Sequence, residues 1–358
     1  MAQGKDWANL LGGEKMDRRK WFLFVNIDLV LILVGLAFMS ASAKAAPAPP
    51  KITVKAVSAF TVKHPQTRMV HFVREAVNER AKGKLEIVWA GGPELFKAAA
   101  FPEAIATGAV DIILAPGGTW PGLVPEGNIE SGHFWKAEYA PKLSRDLRDA
   151  VLSKAYEEKM KAKLLAFPLV VQHQIVTRKP VTKLAGLKGL NIRGTPGPIL
   201  AGIAVLGATP IRLAAEEVYM AMERGTIDGA VRPLPSYVEY REYEVAKNII
   251  STPFIYSTTA LWISVSAWNK LPPDLQKIVF DEGDRMNEKM TQLMASDLAE
   301  AKKVVARHGV TWHDLPAADT VEWAARTGKT YIDIIRKEVP KESADKMLAI
   351  VNKYHPLQ

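Results

Sequence analysis

The segment 184–246 constrains the fold more than any other, because short apolar runs alternate in it with amphipathic ones. An apolar run that ends at Arg193 is typical of a strand, and the glycines and prolines after it predict a loop. Glu216 and Glu217 are placed to begin a helix, since acidic side chains are favourable near a helix N-terminus, and Gly225 is placed to end it. We therefore predict strand, loop, helix, strand, helix, strand and helix.

The same alternation runs through the first part of the chain. Strand-like patterns cover 52–56, 85–89 and 110–114, and helical patterns at 66–82 and 103–107 lie between them. Strands that alternate with helices favour a parallel sheet flanked by helices. We therefore predict an α/β fold with a largely parallel sheet. A chain of 358 residues is long enough for two lobes, each with a core of its own.

Two apolar segments are placed to connect the two lobes, and a long helical segment follows them. The segment 164–171 (LLAFPLVV) predicts a buried strand that crosses to the second lobe, and 261–265 (LWISV) predicts a strand that returns. Between 273 and 308 the apolar residues keep helical spacing, which predicts a helix roughly 50 Å long. The expected division is 46–170 plus about 258–297 for the first lobe, and 171–257 plus about 298–358 for the second.

A short internal echo also indicates two lobes. The sequences GAVD at 108–111 and GTID at 225–228 each follow a helical pattern that contains a glutamate, and each opens a strand. Glycine readily takes the left-handed conformation that ends a helix. The echo therefore indicates that both lobes use the same helix–glycine–strand connection, although an echo of four residues is short and similar connections also arise by chance in α/β proteins.

The N-terminal residues predict export. An apolar run at 21–39 follows a basic segment, and Ala43-Lys44-Ala45 fits the small-x-small rule for signal-peptide cleavage. Residues 1–45 are therefore predicted to be a signal peptide, with Met16 as an alternative start. The rival interpretation is an uncleaved membrane anchor, since 19 residues can just span a bilayer.

Composition excludes several kinds of site. The chain has no cysteine, which excludes disulfides, thiol nucleophiles, cysteine metal ligands and lipidation at a lipobox. Its net charge of +9 suits a protein that binds anions, although a basic surface without a particular partner is the alternative. The basic residues are dispersed and are not interleaved with aromatic ones, so no nucleic-acid partner is expected.

Three motifs carry a resemblance to one known family. They are LKGLNIRG, which contains Arg193; LGATPIRLAAEEVYMAMERGTIDG; and YEVAKNI, at 243–249. The chain resembles the substrate-binding proteins of tripartite ATP-independent periplasmic (TRAP) transporters, the DctP-like family. The resemblance implies a two-lobe periplasmic-binding-protein-like α/β fold with hinge strands and a long helix bracing both lobes. It also implies a periplasmic, non-enzymatic protein without cofactor, which binds a small organic acid between its lobes and delivers it to the small and large membrane subunits.

Arg193 is the first candidate for the ligand site. A guanidinium forms two parallel hydrogen bonds to a carboxylate, and an arginine that follows an apolar strand and precedes a Gly/Pro-rich turn can reach a cleft. An isolated arginine is more often a surface salt-bridge partner. In the family that the chain resembles, however, the arginine that closes the LKGLxIR motif is the carboxylate clamp. Arg193 is therefore expected to bind the carboxylate of the ligand.

Four further residues are candidates for the ligand site. Arg232 stands where family members commonly have asparagine, and a second arginine would favour a second acidic or carbonyl group on the ligand; a solvated loop arginine is the alternative. His173 stands where sialic-acid binders carry a second arginine, and a neighbouring glutamine faces the cleft instead if the strand register differs. Trp120, in the Gly/Pro-rich loop 117–127, either lines the cleft or packs under its own loop. His64, in the first loop, occupies the region where the first lobe of the family contacts ligand.

Motifs for catalysis are absent from the sequence. It contains no GxSxG, HExxH or Walker A motif, and its seven histidines include no metal pair with a third ligand. Glu217 and Tyr219 are interpreted as capping and packing residues. Two alternatives to transport stay open: a binding protein that serves a sensor, and an exported enzyme that acts on a carboxylic acid.

Overall fold

The computed structural model describes residues 50–195 and 197–356. The predicted signal peptide at 1–45, its apolar run and the alternative start at Met16 lie outside these ranges. Within them, no helix is both long enough and apolar enough to cross a membrane.

The described residues form twelve strands and eleven α-helices. The strands are β1 (Ile52–Ser58), β2 (Leu85–Gly91), β3 (Ile112–Pro116), β4 (Ser131–Gly132), β5 (Ala162–Ala166), β6 (Leu169–Thr177), β7 (Asn191–Gly194), β8 (Thr209–Arg212), β9 (Gly229–Pro233), β10 (Asn248–Ile250), β11 (Ile255–Ser264) and β12 (Thr311–His313). The helices are α1 (Arg68–Arg80), α2 (Phe101–Thr107), α3 (Ala140–Leu147), α4 (Ser153–Met160), α5 (Pro198–Val205), α6 (Val218–Arg224), α7 (Leu234–Glu239), α8 (Val265–Lys270), α9 (Pro273–Arg307), α10 (Ala317–Glu338) and α11 (Lys341–Tyr354).

Each lobe contains three neighbouring parallel strands, as the alternating pattern predicts. In the first lobe β1 lies between β2 and β3, and in the second lobe β7 lies between β8 and β9. Successive residues of a strand point to opposite faces of the sheet. Ala56 and Val57 of β1 accordingly belong to two different apolar cores, and so do Ile175 and Val176 of β6. The parallel strands of both lobes are therefore covered on both faces, as is usual for such strands.

Antiparallel strands join the two lobes, so the sheet is mixed rather than largely parallel. β11 pairs with β3 and β5 of the first lobe and with β6 of the second. It has ten residues and is longer than the predicted strand 261–265. The predicted crossing strand 164–171 is instead two strands, β5 and β6, because Pro168 between them has no N–H to donate to a ladder.

The internal echo corresponds to the same local structure in both lobes. Gly108 and Gly225 have φ angles of 77° and 75° and end α2 and α6 in the left-handed conformation. Asp111 then accepts a backbone N–H of β1 at 2.8 Å, and Asp228 accepts a backbone N–H of β7 at 2.9 Å. The two lobes therefore share this connection in its hydrogen bonds as well as in its sequence.

The predicted long helix is α9, which contacts both lobes. It packs on α1, α3 and β5 of the first lobe and on α7 and β6 of the second. Gly283, in its interior, lies so close to β5 that a Cβ atom there would stand 2.8 Å from Cβ of Leu165. This glycine permits the close approach of the helix to the first lobe.

The C-terminal helices depart from the expected division into lobes, which assigned everything after about 298 to the second. Trp323 and Tyr331 of α10 are buried in a second-lobe core, whereas Ile335 of the same helix is buried in a first-lobe core. After Pro340, which cannot continue α10 because its ring clashes with the preceding turn, α11 buries Met347 in that first-lobe core. The end of the chain therefore packs on the first lobe.

Candidate functional site

A cavity of about 550 Å³ lies between the two lobes. Its volume is in the range of sites for small molecules. Arg193, Arg232, His173 and His64 all line it, and Trp120 does not. Four of the five residues that the sequence singled out therefore lie together, although they come from four separate segments of the chain.

Arg193, on β7, is buried in the second-lobe wall of the cavity with 5% of its surface exposed. Its Nε donates a hydrogen bond to the carbonyl of Leu213 at 2.9 Å, which helps to orient the guanidinium. No carboxylate in the described ranges forms an ion pair with it. Burial, and the positive charge of Arg232, lower its pKa to about 10, so it stays charged at neutral pH. A buried charge without a partner is unfavourable, and an anion in the cavity would relieve it.

Arg232 is paired, and this changes the expectation of a free second arginine. It lies on β9 rather than on a loop; its Nε donates to Glu242 at 2.9 Å, and its Nη2 stands 2.6 Å from the other carboxylate oxygen. Both side chains are buried, and Tyr240 lies against the guanidinium. Burial raises the pKa of Glu242, an effect that Arg232 and Arg193 partly offset. Because Glu242 balances its charge, Arg232 does not require a second anionic group on a ligand.

His173 lies on the cavity side of β6, which settles the strand register. Val171 and His173 line the cavity, while Gln172 faces a separate crevice beside α9. Nε2 of His173 lies 2.7 Å from Oγ of Ser257, and Nδ1 is buried without a hydrogen-bond partner. Burial, followed by the charges of the two arginines, lowers the pKa of His173 to about 3. The ring is therefore neutral at pH 7 and offers hydrogen bonds rather than charge.

His64 lies on the first-lobe side and contacts the second lobe. Its Nδ1 accepts a hydrogen bond from the backbone of Gln66 at 3.3 Å, which leaves Nε2 to carry the proton. Nε2 lies 3.2 Å from Oγ of Ser236 and 3.8 Å from a carboxylate oxygen of Glu239. Burial and the charges of Arg232 and another arginine lower the pKa of His64 to about 3. His64 is therefore a neutral contact between the lobes at the cavity wall.

Trp120 occupies the alternative position, under its own loop. Its Nε1 donates to the carbonyl of Ala98 at 2.9 Å, and its ring meets the edge of Trp262 in the first-lobe core. The loop folds inward and buries the apolar ring in the first-lobe core, so Trp120 does not line the cavity in this structure. The same loop instead places the backbone amides of Gly117 and Gly118 near the cavity.

Glu217 and Tyr219 lie outside the cavity wall. Glu217 accepts the backbone N–H of Ala214 at 3.0 Å and so caps the turn before α6. Tyr219 donates its hydroxyl to Glu244. In the described ranges, no group of three or more His, Asp or Glu side chains is arranged to hold a metal ion.

The sequence did not single out two acidic residues at the site, Glu130 and Glu242. Glu130 lines the cavity three residues beyond the loop 117–127, so extending that loop to β4 would have included it. Burial raises the pKa of Glu130 to about 7, partly offset by the backbone amides of Gly118 and Gly117. No pattern in the sequence marks Glu242 as the ion-pair partner of Arg232, because the folding of 234–241 brings the two side chains together.

The raised pKa of Glu130 predicts a pH-dependent stability. Between its ordinary pKa of 4.5 and about 7 the folded protein binds more protons than the unfolded chain, so the free energy of unfolding should fall as pH rises through this window. The loss is at most about 3 kcal/mol for a shift of this size. Urea denaturation of wild type and Glu130→Gln at about pH 5 and about pH 8 measures it. Parallel pH dependence of the two proteins would contradict the assignment.

Comparison with known proteins identifies relatives along most of the chain. The family model for bacterial extracellular solute-binding protein, family 7 (DctP), matches residues 57–338. The 2,3-diketo-L-gulonate-binding periplasmic protein of Escherichia coli K12 is 26% identical over 338 residues, which cover 91% of this chain and 98% of the relative.

Solved structures of TRAP periplasmic solute-binding proteins share the fold. One from Rhodoferax ferrireducens, with bound malonate, has a TM-score of 0.73 and 24% identity and covers 84% of this chain and 98% of that one. One from Desulfovibrio desulfuricans, with bound sn-glycerol-3-phosphate, has a TM-score of 0.78 and 19% identity and covers 84% of this chain and 97% of that one. The two-lobe architecture with a long bracing helix is therefore confirmed. Because the family model matches more than half of its residues, the chain belongs to the DctP family of bacterial extracellular solute-binding proteins.

Proposed function

We propose that this protein is the extracytoplasmic solute-binding protein of a TRAP transporter and that it binds a small organic acid between its two lobes. Arg193 binds the carboxylate of the acid through its two terminal guanidinium nitrogens. Closure of the lobes removes water from the cavity. The loaded protein then delivers the acid to the small and large membrane subunits, in the periplasm, after export by the predicted signal peptide.

The state of Arg193 is the observation that carries this proposal. Its Nε is already used by the carbonyl of Leu213, and no described carboxylate pairs with its terminal nitrogens. The guanidinium is therefore held in place before a ligand arrives, with two parallel donors available. A carboxylate would supply the missing counter-charge in the geometry that a guanidinium binds best. Arg232, by contrast, is occupied by Glu242.

The ligands of related proteins support an anionic solute. The names of the three relatives above specify a sugar-derived acid, a dicarboxylate and a phosphate monoester. These compounds differ in size and in their polar groups, and each has at least one anionic group. One arginine at the cavity wall meets that shared requirement. The neutral His64 and His173 add hydrogen-bonding groups to the same cavity without adding charge.

A thermal-shift screen of the ligand-stripped protein tests the proposal. Organic acids, including sugar acids, dicarboxylates, oxo acids and phosphate esters, are compared with neutral amides of the same carbon skeletons. An acid at 100 times its Kd should stabilise the protein by roughly 2.7 kcal/mol, whereas its amide should have little effect because it brings no counter-charge to Arg193. Stabilisation by amides as strong as by acids, or by no acid at all, would show the proposal to be wrong.

A further inference from the structure

Glu130 carries a carboxyl group on the cavity wall, and no cation of the described ranges neutralises it. It lines the same cavity as Arg193, and it follows Ile129, which is buried in a first-lobe core. The groups near its carboxyl are the backbone amides of Gly117 and Gly118, and no described cation forms an ion pair with it. Its Oε2 is buried without a well-formed hydrogen bond. This carboxyl therefore has capacity for a further hydrogen-bond partner.

Apart from Arg232, which is ion-paired with Glu242, two further cavity-lining residues have a buried polar atom with no hydrogen-bond partner among the described residues. The atoms are Nδ1 of His173, on β6, and Oγ1 of Thr258, on β11. β11 pairs with β6 and, through Ser257, with Ser131 of β4, the residue that follows Glu130. Glu130, His173 and Thr258 therefore lie on adjoining strands or directly before one. We call Glu130, His173 and Thr258 the polar wall. Buried polar groups are nearly always hydrogen-bonded, so a ligand that satisfies the polar wall gains affinity.

A hydroxyl group fits each member of the polar wall. It both donates and accepts, so it can pair with Glu130 whether that carboxyl is ionised or protonated, with either neutral tautomer of His173, and with the hydroxyl of Thr258. A carboxylate only accepts, and ionised Glu130 would repel it. An alkyl chain satisfies none of the three. Because these atoms are buried, a ligand pairs with them only if each side chain turns its unpaired atom toward the cavity.

We propose, on the basis of the proposed function, that the solute is a polyhydroxylated monocarboxylic acid. Its carboxylate binds Arg193, its hydroxyls bind the polar wall, and Glu130 disfavours a second carboxylate at that wall.

The other charges at the cavity agree with a single anionic group. Arg232 is neutralised by Glu242. Lys97, Glu94 and Glu216 also line the cavity, but all three are exposed, so solvent and salt screen them. Of the described residues that line the cavity, Arg193 is thus the buried cation without a counter-charge, and one carboxylate balances it.

Two sets of four acids separate the effect of hydroxyls from that of a second carboxylate. Each set contains a hydroxylated monoacid, a hydroxylated diacid, a plain monoacid and a plain diacid, in that order. The six-carbon set is gluconate, glucarate, hexanoate and adipate, and the four-carbon set is threonate, tartrate, butyrate and succinate. In at least one set, the Kd of wild type for the hydroxylated monoacid should be lower, by about tenfold or more, than its Kd for the plain monoacid and than its Kd for the hydroxylated diacid. Calorimetry measures each Kd. Tighter binding of the diacid, or equal binding of the plain monoacid, overturns the inference.

Glu130→Gln tests the role of this residue. Glutamine keeps one oxygen for the glycine amides but turns the other into an NH₂ donor, so the preference for monoacid over diacid should fall to about threefold or less. Glu138→Gln removes the same charge at an exposed position a few residues on and should leave the preference unchanged. An unchanged preference in Glu130→Gln overturns the assignment. If that variant does not fold, Glu130→Asp, which withdraws the carboxyl from the cavity, should lose the preference for hydroxylated acids.

The inference and the proposed function fail in different ways. If Arg193→Ala loses binding of acids, and wild type prefers hydroxylated acids in neither set, only the inference is wrong. If no acid of any class binds wild type, the proposed function is wrong and the inference falls with it.

Discussion

Arg193→Ala is expected to lose binding of the native acid while it keeps the fold. A carboxylate in the cavity would lose a charged partner that is already desolvated, which typically costs about 2–5 kcal/mol, or roughly 30-fold to several thousand-fold in Kd. Among the described residues the Arg193 side chain makes one hydrogen bond, to Leu213, so its removal should leave the far-ultraviolet circular dichroism unchanged. Calorimetry on ligand-stripped protein measures the affinity.

Two further variants show whether geometry or charge accounts for the loss. Arg193→Lys keeps the charge but cannot form two parallel hydrogen bonds, so it should also bind poorly. Arg212→Ala removes a positive charge from the neighbouring strand β8, where the side chain is exposed and outside the cavity, and should bind as wild type does. Native affinity in Arg193→Ala, together with a native spectrum, would contradict the account.

Glu242→Gln is expected to destabilise the protein by about 3–5 kcal/mol, because it leaves Arg232 as a buried charge without a counter-charge. The two side chains are 0% and 3% exposed, and they meet through two guanidinium nitrogens, at 2.9 and 2.6 Å. Urea denaturation measures the free energy of unfolding. Replacing both residues with apolar ones of similar volume should recover much of the loss, since no buried charge then remains unpaired.

An exposed ion pair provides the control for this variant. Glu158→Gln removes the partner of Lys154 on α4, where both side chains are mostly exposed, and should change stability by less than about 0.5 kcal/mol. The freed Arg232 in Glu242→Gln should also increase the affinity for diacids, because it then lacks its internal partner. Equal stability of Glu242→Gln and Glu158→Gln would contradict a structural role for the buried pair.

Local patterns in the sequence predicted most of the elements that position the site. Alternation of apolar and amphipathic runs predicted the parallel strands of both lobes, and unbroken helical spacing predicted α9 almost to its ends. The Gly108 and Gly225 echo marked the connection that the lobes share, because left-handed glycines end helices for a local reason. These features are determined by residues that are close together in the chain, so the local sequence pattern predicts them.

Features that depend on distant contacts were harder to predict. The burial of Trp120 and the packing of α11 on the first lobe are set by tertiary contacts that no local pattern contains. The sequence indicated that Arg232 is available to a ligand, because its ion-pair partner, Glu242, reaches it only after α7 has turned the chain. Glu130 sits at the end of a loop with no regular period, so neither helical nor strand spacing marked it.

The central claim is that Arg193 binds the carboxylate of a small acid between the lobes. A crystal structure of the protein with the acid that gives the largest thermal shift tests it most directly. The account predicts both carboxylate oxygens within about 3 Å of the two terminal guanidinium nitrogens of Arg193. A bound acid whose carboxylate points away from Arg193, or that lies outside the cavity, would contradict it.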